Sequence, residues 1–129
     1  RIGIMIEIPA IALIADLAAE EVDFASIGSN DLTQYLSAAD RMNPEVAAYY
    51  KSDSTAMLRL LGFVFREFSK REKEISVCGE MAGNPETAQL LVGLGARKLS
   101  MSSGNIAGVK AKLAECTLQE LTALAEKKL

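Results

Sequence analysis

The sequence predicts a parallel α/β fold of four βα units, the size of half a (βα)8 barrel. Three observations lead there. Four short segments with strand character, near residues 2–8, 22–28, 75–78 and 98–102, alternate with longer segments whose apolar residues recur at helical spacing, and strands that alternate with helices pair in parallel. A complete barrel takes about 250 residues, and the chain has 129. The chain also opens from Arg1 straight into Ile2-Gly3-Ile4-Met5-Ile6, a core-like run with no polar lead-in, as expected of a piece of a larger domain. Such a sheet would carry two open edges, which are an association hazard unless a partner covers them.

Taken in order, residues 2 to 8 form a nearly continuous apolar run, the pattern of a parallel strand buried on both faces. Ala10 to Glu21 is rich in Ala, Leu and Ile and reads as its helix. A second strand, Val22 to Gly28, breaks at Gly28-Ser29-Asn30-Asp31 and turns into a short helix from Thr33 to Ser37. Asn43-Pro44-Glu45 supplies a cap, a first-turn proline and an early acid for a short inserted helix to Tyr50. Thr55 to Lys73 is a long helix whose stripe of Met57, Leu58, Leu61, Val64, Phe65 and Phe68 should cover the sheet. Ile75 to Cys78 is the third strand, and Asn84-Pro85-Glu86 opens a helix that Gly93 or Gly95 ends. Lys98 to Ser102 is the fourth strand, Ile106 to Glu115 its helix, and Thr117-Leu118-Gln119-Glu120 a capping box for the last helix.

Composition narrows the function. At 50% hydrophobic and 24% charged residues the chain has the balance of a folded domain. Its net charge of −3, with no basic block longer than Lys70-Arg71 or Lys127-Lys128, argues against nucleic acid. No apolar run approaches the roughly 18 residues of a membrane span, and no secretory leader pattern is present, so no membrane insertion and a cytoplasmic location are expected. With no histidine and no CxxC pair, the residues hold no zinc-type cluster, Ser/His/Asp triad or phosphohistidine.

Strand ends are where parallel α/β folds place their chemistry. Glu7 closes the first strand, Asn30-Asp31 follows the second, and Cys78-Gly79-Glu80 follows the third. A lone carboxylate in an apolar strand needs a cation. Glu7 and Asp31 lie 24 residues apart, one βα unit, so adjacent strand ends would bring them together. Magnesium takes one or two carboxylates, waters and substrate phosphate; the structural alternative has Glu7 paired with a lysine or arginine and Asp31 capping the next helix. Gly28 and Ser29 would let backbone amides approach a phosphate at a helix start, or form an ordinary turn. Arg41 could swing over a phosphate, or lie on the surface. Cys78 could donate a proton in a closed site, or be a small buried hydrophobe. Cys116, the methionines and Phe63, Phe65 and Phe68 read as structural.

Together, Gly3-Ile4-Met5-Ile6-Glu7-Ile8-Pro9, Ile27-Gly28-Ser29-Asn30-Asp31-Leu32-Thr33-Gln34-Tyr35 and Cys78-Gly79-Glu80-Met81-Ala82-Gly83 closely resemble the signatures of the PEP-utilising enzymes. That family includes Enzyme I of the bacterial phosphotransferase system, pyruvate phosphate dikinase and PEP synthase. Met81-Ala82, Ala39-Asp40-Arg41 and Leu99-Ser100-Met101 are similar to Enzyme I rather than to the dikinases. The resemblance implies a phosphoenolpyruvate-binding TIM-type barrel of which residues 1–129 are strands five to eight. It implies Glu7 and Asp31 as Mg2+ ligands, Asn30, Asp31 and Arg41 as substrate-binding residues, with Asn30 and Arg41 on the PEP phosphate, and Cys78 as the acid that protonates enolpyruvate. It also implies partners: PEP and pyruvate, a histidine phosphocarrier protein reached through a separate N-terminal domain, and a second subunit in a homodimer. Further phosphate-binding arginines and the phosphoryl-accepting histidine would come from outside these residues. The chain departs from the family at Ser54-Thr55, where a His-Pro pair is usual. Two other readings compete: a magnesium-dependent aldolase or lyase acting on pyruvate enolates, and a non-catalytic dimerisation module.

Overall fold

A computed structural model describes residues 1–129. A parallel sheet of three strands, β1 (Gly3–Ile6), β2 (Phe24–Gly28) and β3 (Glu74–Cys78), runs in the order β1-β2-β3. Eight α-helices accompany it: α1 (Pro9–Leu13), α2 (Ala15–Glu21), α3 (Ser29–Ser37), α4 (Thr55–Lys70), α5 (Glu80–Gly83), α6 (Pro85–Leu94), α7 (Ser103–Ala114) and α8 (Leu118–Glu126). The class expected from alternation is therefore observed. The fourth strand is not: Leu99 makes a single parallel bridge to Val77, held by Val77 N–H to Lys98 O at 2.9 Å and Ser100 N–H to Val77 O at 2.8 Å. With no neighbour on its far side, this segment has only one strand's hydrogen bonds to extend it.

The register places side chains in rows. Gly3, Phe24 and Glu74 align, as do Met5, Ser26 and Ser76, and Gly28 aligns with Cys78. Because side chains alternate along a strand, these residues share one face. Ile6, Ala25, Ile27 and Val77 occupy the other, buried in one cluster with Ala12, Ala15, Ala19, Leu58, Leu61, Val64 and Phe68. The apolar opening run was expected to be buried on both faces; helices cover only one, and Met5 remains 47% exposed. The methionines likewise divide, with Met57 and Met81 in the core and Met42 82% exposed.

α4 supplies most of the covering face. Met57, Leu58, Leu61, Val64, Phe65 and Phe68 are all buried, as their spacing requires. Removing one such leucine side chain costs about 2–5 kcal/mol in cores of this kind. Ser54 caps it by accepting from Met57 N–H at 3.3 Å. α6 starts where the cap signal put it, with Asn84 Oδ1 accepting from Glu86 N–H and Thr87 N–H, each at 3.0 Å. It ends at Gly95 in the left-handed region. The Thr117–Glu120 capping box forms in both directions. Cys116 accepts from Gln89 Nε2 at 3.3 Å, tying the turn between α7 and α8 to α6, as expected of a structural residue.

Three local expectations change. The first helix divides into α1 and α2 at Ile14, whose backbone leaves the helical region. The inserted helix reduces to one 3-10 turn, Ala47–Tyr49, since Asn43 Oδ1 accepts from Glu45 N–H in a local turn and little apolar surface there is buried. α5 was unforeseen. No helix is long and apolar enough to cross a membrane.

Candidate active site

The break expected at Gly28-Ser29-Asn30-Asp31 is instead the first turn of α3, which starts directly from the strand. Two bonds make that junction. Thr33 Oγ1 donates back to Ser29 O at 2.7 Å, and Ser29 Oγ donates across to Cys78 O at 2.6 Å, tying the end of β2 to the end of β3. Both serine and threonine are fully buried, so hydroxyls replace the missing ladder where the strands stop. Asp31 consequently sits inside the first turn. It does not cap the helix; Gly28 holds the cap position.

Asn30 is fastened on both sides. Its Oδ1 accepts from Glu80 N–H at 3.0 Å, and its carbonyl accepts from the Tyr50 hydroxyl at 3.2 Å. The amide nitrogen makes no protein hydrogen bond and is left to donate elsewhere. This packing explains Gly79, which has φ of 96°: a Cβ there would lie 2.5 Å from Ser29 Oγ and 2.9 Å from Asn30 Oδ1. Gly28 serves the neighbouring strand end, since its Cβ would meet Glu7 Cβ and Oε2, each at 3.0 Å.

These strand ends enclose a cleft of about 170 Å3 lined by Glu7, Asn30, Asp31, Arg41 and Cys78, together with Met5, Gly28, Ser29 and Gly79. Glu7, Asn30, Asp31, Arg41 and Cys78 thus line one cleft, while Glu80, also at the third strand end, lines an adjoining one. Glu7 and Asp31 make no hydrogen bond or ion pair with the protein, so the alternative in which Glu7 is neutralised by a lysine or arginine is not what the chain adopts. Arg41 is the single cationic side chain of the lining. Its loop is set by Ala38 in the left-handed region, with Arg41 N–H donating to Gln34 Oε1 at 3.1 Å.

Tyr50 was missed from the sequence. Burial chiefly, then the Glu80 carboxylate, push its phenol above the ordinary value; Arg41 pulls the other way and Asp31 adds to the rise. The phenol therefore stays protonated and pins the 38–54 loop to α3. Nothing in its local sequence marks it, because its partner is 20 positions away across the loop.

The donor set suits a hard cation. Two free carboxylates on one cleft are the usual protein contribution to a magnesium site, the rest coming from water and substrate oxygens. No cluster of three or more ligating side chains is present to form an all-protein cage. A larger apolar groove beside Pro9, Leu13, Leu36, Leu60 and Phe63 has only Arg59 as a charged group and offers no comparable chemistry.

The chain is a parallel α/β domain that gathers two carboxylates, an asparagine and a thiol at its strand ends, with an arginine from the loop after α3, in one cleft. Comparison with known proteins makes this particular. Residues 1–118 match the family described as PEP-utilising enzyme, PEP-binding domain, and the chain belongs to that family. It is similar to a multiphosphoryl transfer protein of Xanthomonas campestris, 48% identical over 99% of this chain and 15% of the relative. It is 43% identical to the phosphoenolpyruvate-dependent phosphotransferase system protein of Salmonella typhimurium, over the whole chain and 17% of the relative. A phosphoenolpyruvate-protein phosphotransferase of Bacillus subtilis is 44% identical over 98% of the chain and 22% of its own length. The chain thus spans about a fifth or less of the length of these relatives.

Proposed function

We propose that residues 1–129 are the C-terminal half, strands five to eight, of the PEP-binding barrel domain of a PEP-dependent protein phosphotransferase of the Enzyme I type. The observation that carries this reading is the convergence of Glu7, Asn30, Asp31, Arg41 and Cys78, from three strand ends and the loop after α3, on one cleft. The name of the Bacillus subtilis relative supports a reading with phosphoenolpyruvate as donor and a protein as acceptor.

In this reading Glu7 and Asp31 hold Mg2+, which when bound offsets negative charge on the phosphoryl oxygens. The free amide nitrogen of Asn30 and the guanidinium of Arg41 donate to the phosphate, fixing it at the positive end of α3. Tyr50 keeps Arg41's loop in place. Cys78 protonates the enol carbon as pyruvate forms. The chain contains no histidine, so the phosphoryl acceptor belongs to another domain, which would pass the group to a histidine phosphocarrier protein. A cytoplasmic homodimer joined through the barrel domain completes the proposal.

The test uses the full-length protein. Cys78→Ala should abolish pyruvate formation, and Asp31→Ala should abolish magnesium-dependent PEP binding followed by isothermal titration. Wild-type behaviour of both variants overturns the assignment, and carbon–carbon cleavage without a phosphorylated protein would replace it with the lyase reading.

A further inference from the structure

The face of the sheet that helices leave open carries a chain of hydroxyls leading to the thiol. Ser26 and Ser76 are register partners on β2 and β3, and Cys78 lies two residues beyond Ser76 on the same face. Ser76 Oγ donates to Ser26 Oγ at 3.1 Å, Ser26 Oγ donates to Cys78 Sγ at 3.7 Å, and Cys78 Sγ donates to Ile27 O at 3.3 Å. The donors all point one way. Cys78 itself lines both the cleft of the carboxylates and an adjoining hollow of about 590 Å3 that Ser26 and Ser76 share with Met5, Leu99 and Met101. Beside Met5 and Phe24 on this face, two serines next to the thiol need a reason, since valine or alanine would serve a purely packed strand equally well.

We propose that Ser26, supported by Ser76, is a positioning residue for the Cys78 thiol: it fixes the orientation of the sulfur and stabilises the thiolate left after proton delivery. This rests on the role of Cys78 given above. In that step the S–H bond breaks as the new C–H bond forms at C3. The electron pair of the enolate's C2–C3 double bond makes the C–H bond, and the oxyanion closes to the C2 carbonyl of pyruvate. The products are pyruvate and a thiolate, which regains its proton from water. A hydroxyl already donating to sulfur favours that anion, and needs no rearrangement when it appears. The charged groups facing the thiol are Glu7, Asp31 and Arg41 in its own cleft and Lys98 in the adjoining hollow. None of them donates a hydrogen bond to it, and the two serines are the side chains that do or that support the one that does.

The experiment is done on the full-length protein with Ser26→Ala, Ser76→Ala and Ser26→Thr. Alkylation of Cys78 by iodoacetamide at one fixed pH is read on its peptide by mass spectrometry, with Cys116 as the internal reference. Ser26→Ala should slow Cys78 alkylation and lower kcat for pyruvate formation, each by about five- to tenfold, the effect of losing one hydrogen bond of ordinary net strength, while KM for PEP stays within about twofold. Ser76→Ala should give the same change in smaller measure. Ser26→Thr keeps the hydroxyl and should restore both readouts. Alkylation and kcat at wild-type values in Ser26→Ala overturn the proposal. So does equal slowing in Ser26→Thr, which points to lost packing. If instead Cys78→Ala still forms pyruvate, the functional reading fails, and the alkylation comparison still decides whether the serines act on the sulfur.

Discussion

Gly79 shows how tightly single residues define this site. Its backbone sits at φ of 96°, and the space a Cβ would fill is taken by Ser29 Oγ and Asn30 Oδ1. Gly79→Ala therefore meets strain and collision together, at a cost of about 1–3 kcal/mol for the backbone alone. The expected outcome is a lower Tm with weakened PEP binding, because the displaced atoms belong to the residues that align the cleft. Differential scanning calorimetry paired with isothermal titration checks it; an unchanged Tm would mean that the strand ends are not held as tightly as their distances imply. The positions of Glu7, Asn30, Asp31 and Cys78 were legible in the sequence because each lies at the end of a strand, whereas Arg41 reaches the cleft from the loop after α3. Tyr50 and the Ser26–Ser76 pair were not legible. Their roles come from contacts across 20 or about 50 positions of sequence, and no local pattern encodes such a contact.

Among the elements, α4 is anchored by charge as well as by its apolar stripe. Glu67, nearly buried, meets Lys70 at 2.8 Å and Arg71 at 3.1 Å, and Arg71 reaches Glu20 of α2 at 2.9 Å. The hydrogen bond from Lys70, then that from Arg71, hold the Glu67 carboxyl below the usual carboxylate range against the opposing effect of burial. A carboxyl whose pKa is lower folded than unfolded contributes stability that is fully present above its unfolded value and is lost as pH falls through the folded one. Thermal denaturation followed from neutral pH to below the carboxylate range should show Tm falling on the acid side. Glu67→Gln should flatten that limb, and identical limbs in both proteins would remove Glu67 from the account. The helix boundaries that sequence placed well, at Asn84 and Thr117, are those whose side chains satisfy their own backbone, a local interaction. The inserted segment carried an equally good cap at Asn43 yet made only a 3-10 turn, because a cap cannot hold a helix whose apolar residues, here Ala47, Ala48 and Tyr49, stay exposed.

On the scale of the whole molecule, the sheet is finished on one face only. β1 has no partner on its outer edge, and Ile2, Met5 and Ile8 on and beside it are 75%, 47% and 45% exposed. Leu13 and Leu17 are exposed to 64% and 56%. Apolar surface of that kind beside an open strand edge favours association. The 129-residue chain expressed alone should self-associate in sedimentation velocity, and a monomer across the accessible concentration range would count against the half-barrel assignment. The proposal that the remaining strands lie elsewhere in a longer protein makes the same demand on this surface.

By itself the sequence determined the parallel βα alternation and the helix caps at Asn84 and Thr117, since periodicity and capping are properties of neighbouring residues, and it put Glu7, Asn30, Asp31 and Cys78 at strand ends. It also carried the family resemblance, through residues 3–9, 27–35 and 78–83. Only the tertiary structure decided that Asp31 sits within α3, that the Lys98–Ser102 segment pairs at a single bridge, and that one sheet face stays open with a line of hydroxyls running to the thiol. Those outcomes depend on which elements pack together and on which strand edges find a partner, and pairing across distant segments is settled by the whole chain's burial and hydrogen bonding.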